Sequence, residues 1–155
     1  PGNFIVALHR VQPQAMFTGL DIDPVILKVA QTKLQRHGIT ADLIEASATN
    51  IPLQQPFDLI VSTMMLHHLD ASQKPEMLQE VFRLLKPEGT FYLYDFAPPR
   101  NGWEKFLAGV CKKFEPIDDG LRGHYPRMLA AAGFRAITSR YHSPLLELLG
   151  AKKRD

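Results

Sequence analysis

Residues 15–24 read AMFTGLDIDP, a buried strand running straight into the start of a helix. The first six are short and mostly apolar and stop at Asp21, as a strand covered on both faces does. Asp23 followed by Pro24 is a capping carboxylate with proline at the first helical position. Ile26, Val29, Ala30 and Leu34 then recur at helical spacing, and His37-Gly38 ends the pattern. A strand that hands over to a helix is the unit from which parallel sheets are built.

The same alternation extends outward in both directions. Upstream, Asn3 is placed to cap a short helix from Phe4 to about Arg10, with Phe4, Leu8 and Val11 on one face. Downstream, ADLIEA (residues 41–46), FDLIVS (57–62) and TFYLYDF (90–96) read as strands. A helix from about Gln73 to Leu85 should turn Met77, Val81, Leu84 and Leu85 inward, and Pro87 and Gly89 should stop it and turn the chain. Trp103, Phe106, Leu107, Val110, Cys111 and Phe114 follow helical spacing and form the cleanest amphipathic helix of the chain. That helix either packs on the sheet or covers an apolar substrate. A loop at Asp118-Asp119-Gly120 precedes a helix near Tyr125 to Ala132. Phe134 to Tyr141 and Leu145 to about Lys152 are closing strands whose short link, His142-Ser143-Pro144, allows only an antiparallel hairpin. The expected fold class is α/β, a doubly wound, mostly parallel sheet with a C-terminal antiparallel hairpin.

Bulk properties narrow the partners. At about 150 residues per domain, a chain of 155 residues is read as one domain, 1–155. Apolar residues at 45% and charged residues at 22% suit a globular domain. The formal net charge is +2 and the only tight basic cluster is Lys152-Lys153-Arg154, so nucleic acid is not an expected partner. The single cysteine, Cys111, excludes an internal disulfide framework and a Cys-rich zinc site, and fits a cytoplasmic setting. No run approaches the ~18 apolar residues of a transmembrane helix, so no membrane partner is expected. No leader peptide is visible.

Open α/β sheets bind ligands beyond the carboxyl ends of their strands. Here those ends are Asp21, Glu45 to Ala48, Ser62 to Met64, and Asp95. Asp21 lies 19 residues after Gly2, close to the spacing at which an acidic residue meets a ribose diol. The alternative for Asp21 is a helix cap, for which Asp23 is better placed.

Four segments, in this order and spacing, resemble the class I S-adenosylmethionine-dependent methyltransferases, in their small-molecule branch. Pro1-Gly2-Asn3 is similar to the tail of the family's glycine-rich loop. TGLDIDP (18–24) is similar to its second motif, and SATNIPL (47–53) to the segment usually reading DAxxLPF. FDLIVSTMMLHHLD (57–70) with LLKPEGTFYLYDF (84–96) is similar to the rest of the core, and AAGF with two closing strands fits the family's hairpin. The resemblance covers nearly the whole chain and implies a Rossmann-like fold binding S-adenosyl-L-methionine. It implies close backbone approach at Gly2, a ribose contact at Asp21, adenine packing on Ile22 and an adenine-edge contact at Ser47 and Ala48. Ser62, Thr63 and Met64 would lie near the cofactor's amino-acid end. Ser47 stands where the family usually carries Asp, so one contact to the adenine amino group would lack charge. It also implies that the family's first strand and first glycines precede Pro1.

Methyl transfer is an in-line displacement from an already activated sulfonium carbon, so alignment is the protein's main task. A base is needed only where the acceptor must lose a proton. The catalytic candidates are His67 and Asp95, with His68, His124 and Tyr125 as further acid/base groups. Each has a plain alternative: packing or solvation for the histidines, a backbone hydrogen bond for Asp95, a helix-core position for Tyr125. No metal site is expected, since no H-x-x-x-H pair occurs among the six histidines and adjacent His67 and His68 do not easily share an ion. The expected function is S-adenosylmethionine-dependent methyl transfer to a small-molecule acceptor. A catalytically silent cofactor-binding or scaffold domain of the same fold is the alternative. A nicotinamide-dependent dehydrogenase shares the ribose acid but not the LHHL segment or the hairpin.

Overall fold

The computed structural model describes residues 1–154. They gather into two compact units, Pro1–Pro52 and the described residues from Leu53 onward.

In the first unit, α1 (Asn3–Val11), β1 (Thr18–Asp21), α2 (Pro24–Arg36) and β2 (Asp42–Glu45) alternate. The strands pair in parallel, with Thr18 opposite Asp42 and Asp21 opposite Glu45. Val6, Leu34 and Ile39 form the core, with Ile5, Phe17, Ala41 and Leu43 packed against it. Asp23 caps α2 as expected, accepting from the Val25 N–H at 2.8 Å. Asn3 does not cap α1. Gly2 takes that position in the left-handed region (φ 76°), and the Asn3 Oδ1 accepts instead from Lys33 Nζ at 2.6 Å. A Cβ at Gly2 would lie 3.3 Å from the Ala30 Cα, so the αL turn and close packing on α2 both call for glycine. The face of α1 that is buried carries Val6. Phe4 and Val11 remain exposed because the helix meets α2 and the sheet along its Ile5–Val6 side.

The second unit holds β3 (Phe57–Thr63), a 3-10 turn over Leu66–His68, α3 (Gln73–Leu84), β4 (Leu85–Phe96), α4 (Gly102–Cys111), α5 (Asp118–Leu121), α6 (Tyr125–Ala131), β5 (Arg135–Ser143) and β6 (Leu146–Lys152). Its sheet runs β3-β4-β6-β5, parallel at the first pair and antiparallel at the other two. The expected hairpin is present, and β6 is its inner strand. The first unit's sheet is thus parallel and the second unit's mixed, with β3–β4 its parallel pair.

Two local expectations change. Residues 86–89 do not separate α3 from a later strand; β4 begins at once at Leu85, and the extra residues are taken up where pairing jumps from Phe57–Leu85 to Leu59–Thr90. The helix expected over 103–114 spans 102–111 and buries only one edge of the expected face, together with Ala108. Ala108 packs with Phe96, Ile117 and Leu145, and Leu107 and Cys111 join them. Trp103, Phe106, Val110 and Phe114 face outward. Apolar residues occupy two stripes of this helix, and only one can meet the sheet.

Candidate functional site

In the first unit the strand ends bring together residues that are distant in sequence. Parallel pairing continues past β1 and β2 through an Ala46 N–H donating to the Asp21 carbonyl at 3.1 Å. Ser47 and Ala48 thus follow directly beside Asp21 and Ile22. The Asp21 Oδ1 accepts from the Asp23 N–H at 3.0 Å, closing an Asx turn. Its Oδ2 has no protein partner among the described residues. Ile22 is 71% exposed beside that free oxygen. The Ser47 hydroxyl is already engaged, 2.8 Å from Thr49 Oγ1 and accepting from the Thr49 N–H. The first unit therefore presents one carboxylate oxygen and one bare apolar side chain at the same sheet end.

The second unit carries a denser polar cluster at the carboxyl ends of β3 and β4. Ser62 is buried, and its hydroxyl has no partner. Thr63 and Met64 are exposed, and Met64 turns the chain out of β3 with φ at 51°, its N–H donating to the Tyr94 carbonyl at 2.8 Å. A left-handed conformation in an unbranched side chain is a modest local strain at the mouth of the sheet. The 3-10 turn that follows drops His67 onto Asp95, Nδ1 to Oδ1 at 2.8 Å, with the His67 side chain 2% exposed and that of Asp95 fully buried. The same Oδ1 accepts from the Phe96 N–H at 2.7 Å, which is the backbone hydrogen bond expected of Asp95. An oxygen already accepting from an N–H calls for a donor opposite it. His67 Nδ1 therefore carries a hydrogen, and in the neutral ring Nε2 holds the lone pair. Phe96 meets the His67 ring edge-on, with centroids 4.9 Å apart.

His68 lies against His67, the ring centroids 4.0 Å apart, and is more than half exposed. Glu115 reaches both: its Oε2 is 3.8 Å from His67 Nε2 and 3.6 Å from His68 Nδ1. Nothing in the spacing of the sequence signals this acid, because the chain leaves and returns to the sheet between them.

A neighbouring network escapes sequence reasoning as well. Lys74, buried on α3, donates to Asp119 Oδ2 at 2.6 Å, and His124 Nδ1 lies 3.0 Å from the other oxygen. The Lys74 ammonium, then His124, hold the Asp119 carboxyl below the ordinary carboxylate range against the opposing effect of burial. Tyr125 is buried with its hydroxyl unpartnered, so the helix-core reading of that residue holds. Burial, and after it the Asp95 and Asp119 charges, push its phenol above its usual value and keep it a neutral donor. No helix of the described residues is long and apolar enough to cross a membrane.

Comparison with known proteins places these features in a family. Residues 1–89 match the family described as "Methyltransferase domain". Over 147 residues the chain is 26% identical to phthiotriol/phenolphthiotriol dimycocerosates methyltransferase of Mycobacterium leprae, covering 81% of this chain and 53% of that protein. Over 102 residues it is 28% identical to demethylmenaquinone methyltransferase of Thermus thermophilus, covering 65% and 46%. The chain thus spans about half the length of the curated relatives it matches. The crystal structure of the S-adenosylmethionine-dependent methyltransferase SibL in its apo form superposes with a TM-score of 0.81 at 16% identity, over 99% of this chain and 48% of that one. That likeness shows the Rossmann-like α/β fold. With more than half of the chain matched by the family, the protein belongs to the class I S-adenosylmethionine-dependent methyltransferases.

Proposed function

We propose that the protein transfers a methyl group from S-adenosyl-L-methionine to a small, apolar acceptor. The observation that carries this reading is the sheet end of the first unit, where the free oxygen of Asp21 stands beside the bare side chain of Ile22. A carboxylate accepts from both hydroxyls of a vicinal diol, and an exposed branched side chain offers a flat aromatic ring an apolar face. Asp21 is assigned to the ribose, Ile22 to one face of the adenine, and Ser47 and Ala48 to its edge. Gly2 is assigned to the glycine-rich loop. Ser62, Thr63 and Met64, at the β3 end of the second unit, are assigned to the amino-acid portion; the partnerless Ser62 hydroxyl supports a polar ligand there.

When bound, the sulfonium cofactor supplies the activated methyl group. The chain's own residues bind and align. His67, held through Nδ1 by Asp95, offers its Nε2 lone pair for an acceptor proton, making these two the proposed catalytic pair. The names of the two relatives favour an apolar acceptor, and Trp103, Phe106, Val110 and Phe114 give this chain exposed apolar surface for one. One free cysteine supports a reducing, cytoplasmic setting.

The test is cofactor binding followed by turnover. Titration calorimetry should show S-adenosylmethionine binding and no NAD binding. Labelled methyl groups should then move to at least one phenolic or quinol acceptor in a panel. Preference for NAD would remove the reading. One observation favours a second reading, a silent cofactor-binding domain: the Ser47 hydroxyl is spent on Thr49. Binding with no transfer to any acceptor would select it.

A further inference from the structure

The two histidines that follow β3 and the acid that follows α4 form a constellation that methyl transfer does not require. His67 turns its Nδ1–H to Asp95, so the neutral ring presents its Nε2 electron pair to its other neighbour. That neighbour is Glu115, whose Oε2 is also electron-rich, at 3.8 Å. His68 Nδ1 converges on the same oxygen at 3.6 Å. One ligand atom from each of the three residues lies within 4.8 Å of the others. A neutral ring nitrogen facing a carboxylate calls for a positive centre between them, and three such atoms converging on one point suit a metal ion better than a single proton.

We infer that His67, His68 and Glu115 bind a divalent transition-metal ion of the zinc type, with Asp95 orienting His67 from behind. Two imidazoles and one carboxylate suit a borderline ion, whereas Mg2+ and Ca2+ take oxygen-only sets. Tetrahedral ligands about 2.0–2.1 Å from zinc stand roughly 3.4 Å apart. The observed 3.6 and 3.8 Å to Glu115 close to that spacing with shifts of a few tenths of an ångström, and the two ring nitrogens, within 4.8 Å of each other, close to it by a larger turn of the exposed His68 ring. The carboxylate on the far nitrogen of His67 is the arrangement that fixes tautomer and ring orientation in metal-bound histidines. Three protein ligands leave the fourth position for water. The burial of His67 keeps one ligand immobile, and the more exposed His68 and Glu115 leave the ion an entry path. The adjacency of His67 and His68 argues against a shared ion only while both rings are imagined pointing apart. The 3-10 turn instead brings them within 4.0 Å. An ion at His67 Nε2 takes the lone pair assigned above to the acceptor proton, so metal and base compete for one atom.

The test uses Zn2+ alone, without cofactor or acceptor, so its outcome does not depend on methyl transfer. The full chain is stripped with EDTA and dialysed against Zn2+. One zinc per chain is expected, and Co2+ in its place should give the visible absorption of a four-coordinate ion. His68→Ala and Glu115→Gln should each weaken Zn2+ binding at least tenfold, and Asp95→Asn tenfold or more. His37→Ala, outside the cluster, should leave it unchanged. Circular dichroism in EDTA verifies that each variant is folded; Glu115, on a surface segment, keeps the test open where a histidine variant is not. Absence of stoichiometric zinc, or stoichiometric zinc indifferent to both His68→Ala and Glu115→Gln, overturns the proposal.

Discussion

Asp21 and Asp119 show how differently two carboxylates are used. Asp21 gives one oxygen to the chain and leaves the other without a partner among the described residues. Asp21→Ala should weaken S-adenosylmethionine binding by about 10–100-fold, the loss of hydrogen bonds to a charged acceptor, with little change in melting temperature; titration calorimetry and thermal unfolding check both halves. Asp119 gives both oxygens to the protein, to Lys74 and His124. Its folded-state value lies below its unfolded one, so its contribution to stability is complete above the ordinary carboxylate range and fades as acid protonates it in the fold. Asp119→Asn should therefore cost about 2 kcal/mol at neutral pH, by leaving the buried Lys74 ammonium without its anion. Urea melts of the variant should lose less stability than wild type between pH 5 and 3, on the order of the range where the group titrates.

At the scale of elements, the sequence was most readable where local chemistry and tertiary contact agree. Asp23-Pro24 opens α2, and the short link after β5 forces an antiparallel return. It was least readable where two answers satisfy the same period. In α4 the stripe Trp103–Phe106–Val110–Phe114 and the stripe Leu107–Ala108–Cys111 are both apolar, and only contact with Phe96, Ile117 and Leu145 chooses between them. The choice is measurable. Trp103→Gln should shift stability by less than about 0.5 kcal/mol, as surface changes do, while Ile117→Ala, fully buried beneath the inner stripe, should cost roughly 2–5 kcal/mol. Chemical denaturation separates the two. α5 is pinned harder still: a Cβ on Gly120 would lie 2.6 Å from the Phe96 carbonyl oxygen. Gly120→Ala should cost about 1–3 kcal/mol by overpacking and displace the adjoining Asp119, visible as a lowered melting temperature.

Across the whole molecule, the positions of Asp21, Ser62 and Asp95 near strand ends were legible because a short apolar run stops at each of them. The Glu115 and Lys74 partners were not, since no short-range pattern encodes which surface segment folds back over a strand end. Pairing is a property of topology, and topology also has an order in time. In the second unit β6 lies between β4 and β5, although it follows both in the chain. A ribosome delivers β5 before the strand that bridges it to the sheet exists. Until residues 146–152 emerge, β4 displays a bare edge and β5 has no place to anneal, so nascent chains stalled before that point are the ones that chaperones must shield.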